Sequence, residues 1–92
     1  MDNLQKLNAI NKIIRELEDI NNSGTALLKK IAQVEAENIN LGNKILEQKI
    51  PDVYERMDGV LSESTALLAE FTEFRDTFVT ENKLGEGSEP AA

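Results

Sequence analysis

The chain contains no cysteine, no histidine and no tryptophan. Without cysteine there can be no disulfide framework and no thiolate metal site. Without histidine the commonest general base and the commonest metal ligand are both missing. Proline occurs twice and glycine five times in 92 residues, so few positions interrupt regular structure. The aromatic residues are Tyr54, Phe71, Phe74 and Phe78. No apolar run approaches the roughly 20 residues needed to span a bilayer. The opening MDNLQKLNAINK holds no continuous apolar segment of the kind a secretory signal requires. A cytoplasmic location is the default expectation, with export lacking a signal peptide left open.

The charge of −7 is unevenly placed. Residues 1–50 hold seven acids and seven bases, whereas residues 51–92 hold ten acids and three bases. An acidic balance opposes binding to nucleic acid, whose phosphates need Lys and Arg to displace counterions. It opposes anionic membrane surfaces for the same reason. The expected partner is therefore a protein, with no nucleic acid and no membrane insertion.

Catalytic chemistry finds little support. Glu70, Glu73 and Asp76 are spaced i, i+3, i+6 and lie along one side of a helix, but without histidine no Glu-x-x-His di-metal site can be built. Asp58-Gly59 lacks the other acids of a calcium loop. No glycine-rich phosphate loop is present, and Ser23 with Lys29 or Lys30 does not make a nucleophile–base pair. The chain is expected to be no enzyme and to need no cofactor or metal.

What the sequence does contain is helical periodicity. Apolar residues recur at spacings of three and four. Leu4, Leu7, Ile10, Ile14, Leu17 and Ile20 or Asn21 make one stripe. Leu28, Ile31, Val34, Asn38, Leu41 and Ile45 make another. Val53, Met57, Val60, Ser64, Leu67, Phe71, Phe74 and Phe78 alternate steps of four and three, the a and d positions of a heptad. Tyr54, Leu61 and Leu68 widen that last stripe, as suits a bundle core.

Pro51 disfavours helical geometry at Ile50 and so predicts a turn. Asp52 can cap the next helix, with Glu55 completing a capping box. Gly85 can take the left-handed position after the last turn. The segment beyond it, 85–92, has no large apolar residue and is expected to be a disordered tail. The domain itself would then cover 1–84.

A phrase is written twice. GTALLKKIAQV begins at Gly24 and STALLAEFTEF at Ser64. At an offset of forty, Ile13 matches Val53, Leu17 matches Met57, Ile20 matches Val60, Ile31 matches Phe71 and Val34 matches Phe74. Gly24 falls opposite Ser64, inside a segment that reads as unbroken helix. The heptad phase also runs from Leu17 through Asn21 and Gly24 to Leu28, which a turn at Asn21–Gly24 has no reason to preserve.

The expected fold is therefore all-α: an antiparallel hairpin with a long helix at about 3–49 and a second at about 52–83. The alternative is a three-helix bundle with a break at 21–24. In the hairpin the first helix, about 70 Å long, outreaches the second, about 46 Å, at 1.5 Å per residue. The overhang carries Leu4, Leu7, Ile10 and Ile14, and dimerisation into a four-helix bundle or coiled coil would cover it. Core or interface residues are expected at Leu7, Ile10, Ile14, Leu17, Leu28, Ile31, Val34, Leu41, Ile45, Met57, Val60, Leu67, Phe71, Phe74 and Phe78. Asn21 and Asn38, at core positions, would set register or choose the partner.

Size, two-helix outline and the segment YERMD, Tyr54 to Asp58, resemble the small hairpin proteins of type VII secretion, the WXG100-like and LXG-toxin-associated families. YERMD fits their Y-x-x-x-D export pattern. In those families that signal follows the second helix, whereas here it opens it. The W-x-G turn is missing, with NLG at Asn40 to Gly42 as a weak echo. The resemblance implies a secreted partner or a targeting chaperone for a toxin.

Three functions follow as expectations. The first is a protein–protein interaction module, a helical assembly subunit or chaperone-like adaptor that pairs with itself or a similar chain. The second is the type VII role. The third is an acidic inhibitor or nucleic-acid mimic acting through Asp52, Glu55, Asp58, Glu63, Glu70, Glu73 and Asp76.

Overall fold

The structure, a computed structural model, describes residues 1–84. Two helices make up nearly all of it: α1, Asn3–Leu41, and α2, Lys44–Glu81. They pack side by side as an antiparallel hairpin about 61 Å long. The all-α hairpin expected from the periodicity is what forms.

The start of α1 is a capping box. Gln5 N–H donates to Asp2 Oδ1 (2.8 Å) and Asp2 N–H donates to Gln5 Oε1 (2.9 Å). Two donors that no helical carbonyl can reach are satisfied in this way.

The turn is not at Pro51, and neither helix has the expected bounds. The first helix stops at Leu41 rather than near 49, and the second begins at Lys44 rather than at 52. Gly42 takes the left-handed position (φ 70°), which glycine adopts without steric cost, and its N–H donates to Asn38 O at 2.7 Å. Asn43 then caps α2, its side chain accepting from Leu46 N–H at 3.1 Å. A C-cap glycine followed at once by an N-cap asparagine reverses the chain in two residues.

Pro51 lies inside α2 and is exposed. It has no N–H for the carbonyl four residues earlier, that of Glu47. On an exposed face water can take that carbonyl, so the break a proline usually imposes is avoided. Asp52 is accordingly an ordinary exposed helical residue and caps nothing.

Moving the turn equalises the arms at 39 and 38 residues. The expected overhang disappears, and Ile10 and Ile14, which were to lie on it, are instead the buried hydrophobic residues of the pair. Leu41 and Ile45, expected in the core, flank the turn and are 72% and 68% exposed.

The three-helix alternative also falls. Helix α1 continues through Asn21–Gly24 without a break. Gly24 is buried because α2 passes close to it: a Cβ there would lie 2.9 Å from Leu61 Cδ1. This glycine serves helix-to-helix approach. At the far end Asn82 caps α2 and Lys83 takes a left-handed φ of 55°. The expected cap at Gly85 and the tail 85–92 lie outside the described residues.

Candidate functional site

The seam between the helices follows one heptad register. On α1 it runs through Leu7, Ile10, Ile14, Leu17, Asn21, Gly24, Leu28 and Ile31, all buried or half-buried, with Asn38 buried at its end. On α2 it runs through Leu46, Ile50, Met57, Leu61, Ser64, Leu68, Phe71, Arg75, Phe78 and Asn82, all half-buried. Steps of three and four keep these residues on one side of each helix.

Asparagines of α1 pin this seam. Asn3 Nδ2 donates to Asn82 Oδ1 at 3.0 Å, and Arg75 Nη1 donates to Asn11 Oδ1 at 3.1 Å. The Ser64 hydroxyl donates to Asn21 Oδ1 at 2.5 Å. Asn38 Nδ2 donates to Asn43 O (3.1 Å), while Asn43 N–H donates to Asn38 Oδ1 (2.8 Å). Eight of the nine asparagines precede residue 51, and four of those eight, Asn3, Asn11, Asn21 and Asn38, make these contacts with their side chains. Asn21 sets register within the chain, whereas Asn38 ties down the turn.

The expected second-half stripe divides between two faces. Met57, Ser64, Phe71 and Phe78 are in the seam. Val53, Val60, Leu67 and Phe74 are not: they occupy the heptad position called g, the last three each one residue before a seam residue, and all four are about half exposed. Helix α1 has the same feature. Ile13, Ile20 and Leu27 at its g positions are also about half exposed, and Val34 is half-buried.

These two sets share one side of the hairpin. Viewed from one end, an antiparallel partner reverses the sense of rotation around its axis. Residues just before the seam on α1 therefore adjoin those just before the seam on α2. Eight aliphatic and aromatic side chains thus line a single face along most of the rod. The repeated phrase carries the same pattern: an offset of forty takes Ile13, Ile20, Leu27 and Val34 onto Val53, Val60, Leu67 and Phe74. On this face Phe74 stacks on Phe71 with ring centroids 5.5 Å apart, which ties its rim to the seam.

The opposite side is mostly polar. Its residues just after the seam include Asn11, Glu18 and Thr25 on α1, and Asp58, Thr65 and Thr72 on α2. The seven acids expected to form an acidic surface spread over the outer half of α2. One of them, Asp76, accepts from Arg75 Nε at 2.8 Å.

A shallow groove of about 290 Å³ opens in the middle of the apolar face. It is lined by Asp19, Ile20, Ser23, Gly24, Leu27 and Met57. Gly24 lies on its floor, and Ile20 and Leu27 also line it. A second concavity at the turn is lined by Glu35, Asn38, Ile39, Gly42, Leu46 and Glu47. Among the described residues no group of carboxylates is placed to hold a metal ion, and no helix is long and apolar enough to cross a membrane.

Sequence reasoning missed Leu46 and Ile50, which it placed near the wrong turn, and it missed Arg75 and Asn82 because both are polar. It treated Leu61 and Leu68 as flanking residues when they are seam residues. No protein-family model, curated protein or solved structure matches the chain.

Proposed function

We propose that the chain is a non-enzymatic protein–protein interaction module: a helical assembly subunit, or an adaptor of the same kind, that works by burying the g-position face against other helices. The observation that carries this is the continuous apolar face from Ile13 to Phe74, present on one side of the hairpin and absent from the other. Two helices alone cover little of their apolar surface; among the described residues no side chain is fully buried. Covering the second face would give each helix two neighbours, the arrangement of a four-helix bundle. Each half-exposed Leu, Ile or Phe so covered contributes on the order of 1 kcal/mol, half of a full burial.

Light scattering tests the proposal. The native chain should have a mass above one chain at micromolar concentration. Leu27→Asp combined with Leu67→Asp should return it to single-chain mass with the helical circular dichroism kept, because both side chains are off the seam. A native chain that stays at single-chain mass at high micromolar concentration would count against an assembly subunit.

A second reading gains from the position of the turn. Gly42 closes the segment NLG, the place where the type VII hairpin families carry their W-x-G. Tyr54 of the Y-x-x-x-D pattern sits inside α2 and is exposed. This reading expects the protein in the culture supernatant, with loss of export on Tyr54→Ala.

A further inference from the structure

We infer that the occupant of this face is a second copy of the chain, stacked in reverse so that α1 lies on α1 and α2 on α2, about a two-fold axis crossing the hairpin at Ser23 and Glu63. The inference rests on the interaction-module reading and names the partner of that same face.

The rim charges select this arrangement. Residues four before Ile20, Leu27 and Val34 on α1, and four before Val60, Leu67 and Phe74 on α2, border the apolar face from outside. On α1 they include Glu16, Ser23 and Lys30, and on α2 Arg56, Glu63 and Glu70, of which all but Ser23 are charged and all are exposed. Among the described residues none is in an ion pair within the chain. Because Asn21 faces Ser64 and Gly24 faces Leu61, Lys30 is level with Arg56, and Glu16 is level with Glu70.

Two stackings bury the face symmetrically. If the second copy keeps the same direction, its α2 lies over α1 at equal height. Lys30 then meets Arg56 and Glu16 meets Glu70, four like-charge contacts in the pair, against two opposite-charge contacts between Glu37 and Lys49 nearer the turn. If the second copy is reversed, each helix lies over its own counterpart. Glu16 and Lys30 are each seven residues from Ser23, and Arg56 and Glu70 are each seven from Glu63. Glu16 then meets Lys30 of the second copy, and Arg56 meets its Glu70. Opposite charges meet four times around the rim, and like charges meet once, where the two Glu63 side chains approach the axis.

Shape and size agree. The apolar positions Ile13 with Val34 and Ile20 with Leu27 are centred on the same axis, as are Val53 with Phe74 and Val60 with Leu67. The groove at Gly24 lies on the axis, where the two α1 helices approach most closely. The hairpin is about 20 Å across, and its apolar face from Ile13 to Val34 runs about 32 Å along the rod at 1.5 Å per residue. That apolar patch of roughly 640 Å², with its charged rim added, is comparable with the ~800 Å² per partner of a standard stable interface.

The absence of native cysteine makes the test direct. Ser23→Cys alone and Glu63→Cys alone should each give a disulfide-linked dimer under mild oxidation, while Gln33→Cys on the outer surface should not. Glu16→Lys should weaken the dimer roughly three- to tenfold, and adding Lys30→Glu should restore it. Glu63→Gln should tighten it. A dimer that cross-links only when the Ser23→Cys and Glu63→Cys chains are mixed, or that Glu16→Lys strengthens, overturns the reversed stacking and leaves the interaction module standing. A single-chain mass at every concentration overturns both.

Discussion

Leu61 fills the space beside Gly24: a Cβ on residue 24 would lie 2.9 Å from Leu61 Cδ1 and 3.6 Å from Met57 Cε. The asparagine-serine-glycine run that looks like a loop is therefore a point of close approach between two unbroken helices. Gly24→Ala should change stability by no more than about 1 kcal/mol, since the helix preference for alanine, worth about 1 kcal/mol, offsets a small shift of the Leu61 end methyl. Gly24→Leu should cost about 1–3 kcal/mol, because a full side chain must displace Leu61. Thermal melts of the two variants check this. Equal losses would mean that close approach is not the reason for the glycine.

Pro51 leads to an unusual expectation. Replacing it with alanine should raise stability by about 1–3 kcal/mol, because the carbonyl of Glu47 regains a donor and the helix loses its worst former. In a domain of this size each kcal/mol moves the melting temperature by about 4–8 °C. A lower melting temperature in Pro51→Ala would point to a structural need for the proline.

The turn depends on Asn38 and Gly42. Asn38→Ala removes two hydrogen bonds to the Asn43 backbone at a buried position and should cost about 1–3 kcal/mol. Gly42→Ala meets no atom within 4 Å but places a Cβ at φ 70°, which should cost about 1–2 kcal/mol. Gly42→Asn should cost less, because asparagine tolerates the left-handed region. Denaturant midpoints give the ranking.

A double-mutant cycle measures the polar layer. Asn21→Ala and Ser64→Ala should each destabilise, and their coupling should be about 0.5–1.5 kcal/mol, the net worth of one hydrogen bond. A coupling of zero would mean that the two side chains meet only water.

Periodicity alone was enough to indicate the two helices, because heptad spacing persists over nearly eighty residues. Continuity through Asn21–Gly24 was also legible, since the phase is the same on both sides. The turn was misread for a local reason. Pro51, Asp52 and Glu55 carry every short-range mark of a helix start, while the true turn at Gly42 and Asn43 depends on Asn38 bonding back to it. Pro51 and Glu47 both lie on exposed positions of α2, where water can reach the carbonyl that the proline leaves without a donor.

The face of α2 was misread for a different reason. Positions a, d and g are all largely apolar from Val53 to Phe78, so two adjacent stripes compete for the seam. Arg75 and Asn82 tilt a reader away from the stripe that packs. Hydrogen bonding to Asn11 and Asn3 makes those polar residues compatible with the seam, and no single-helix pattern reveals such pairing. The open face was present all along in the forty-residue repeat, but its exposure follows only once the partner stripe is taken by α1.

The closure of the open end by Asn3 and Asn82 has a mechanical corollary. Tension applied to residues 3 and 82 would act across the first layer of the rod, then the next at Asn11 and Arg75, then Asn21 and Ser64, each taking the load in turn. Such a geometry peels like a zip fastener at low force, whereas the same rod pulled from Asn3 and Gly42 would bear the load along its length.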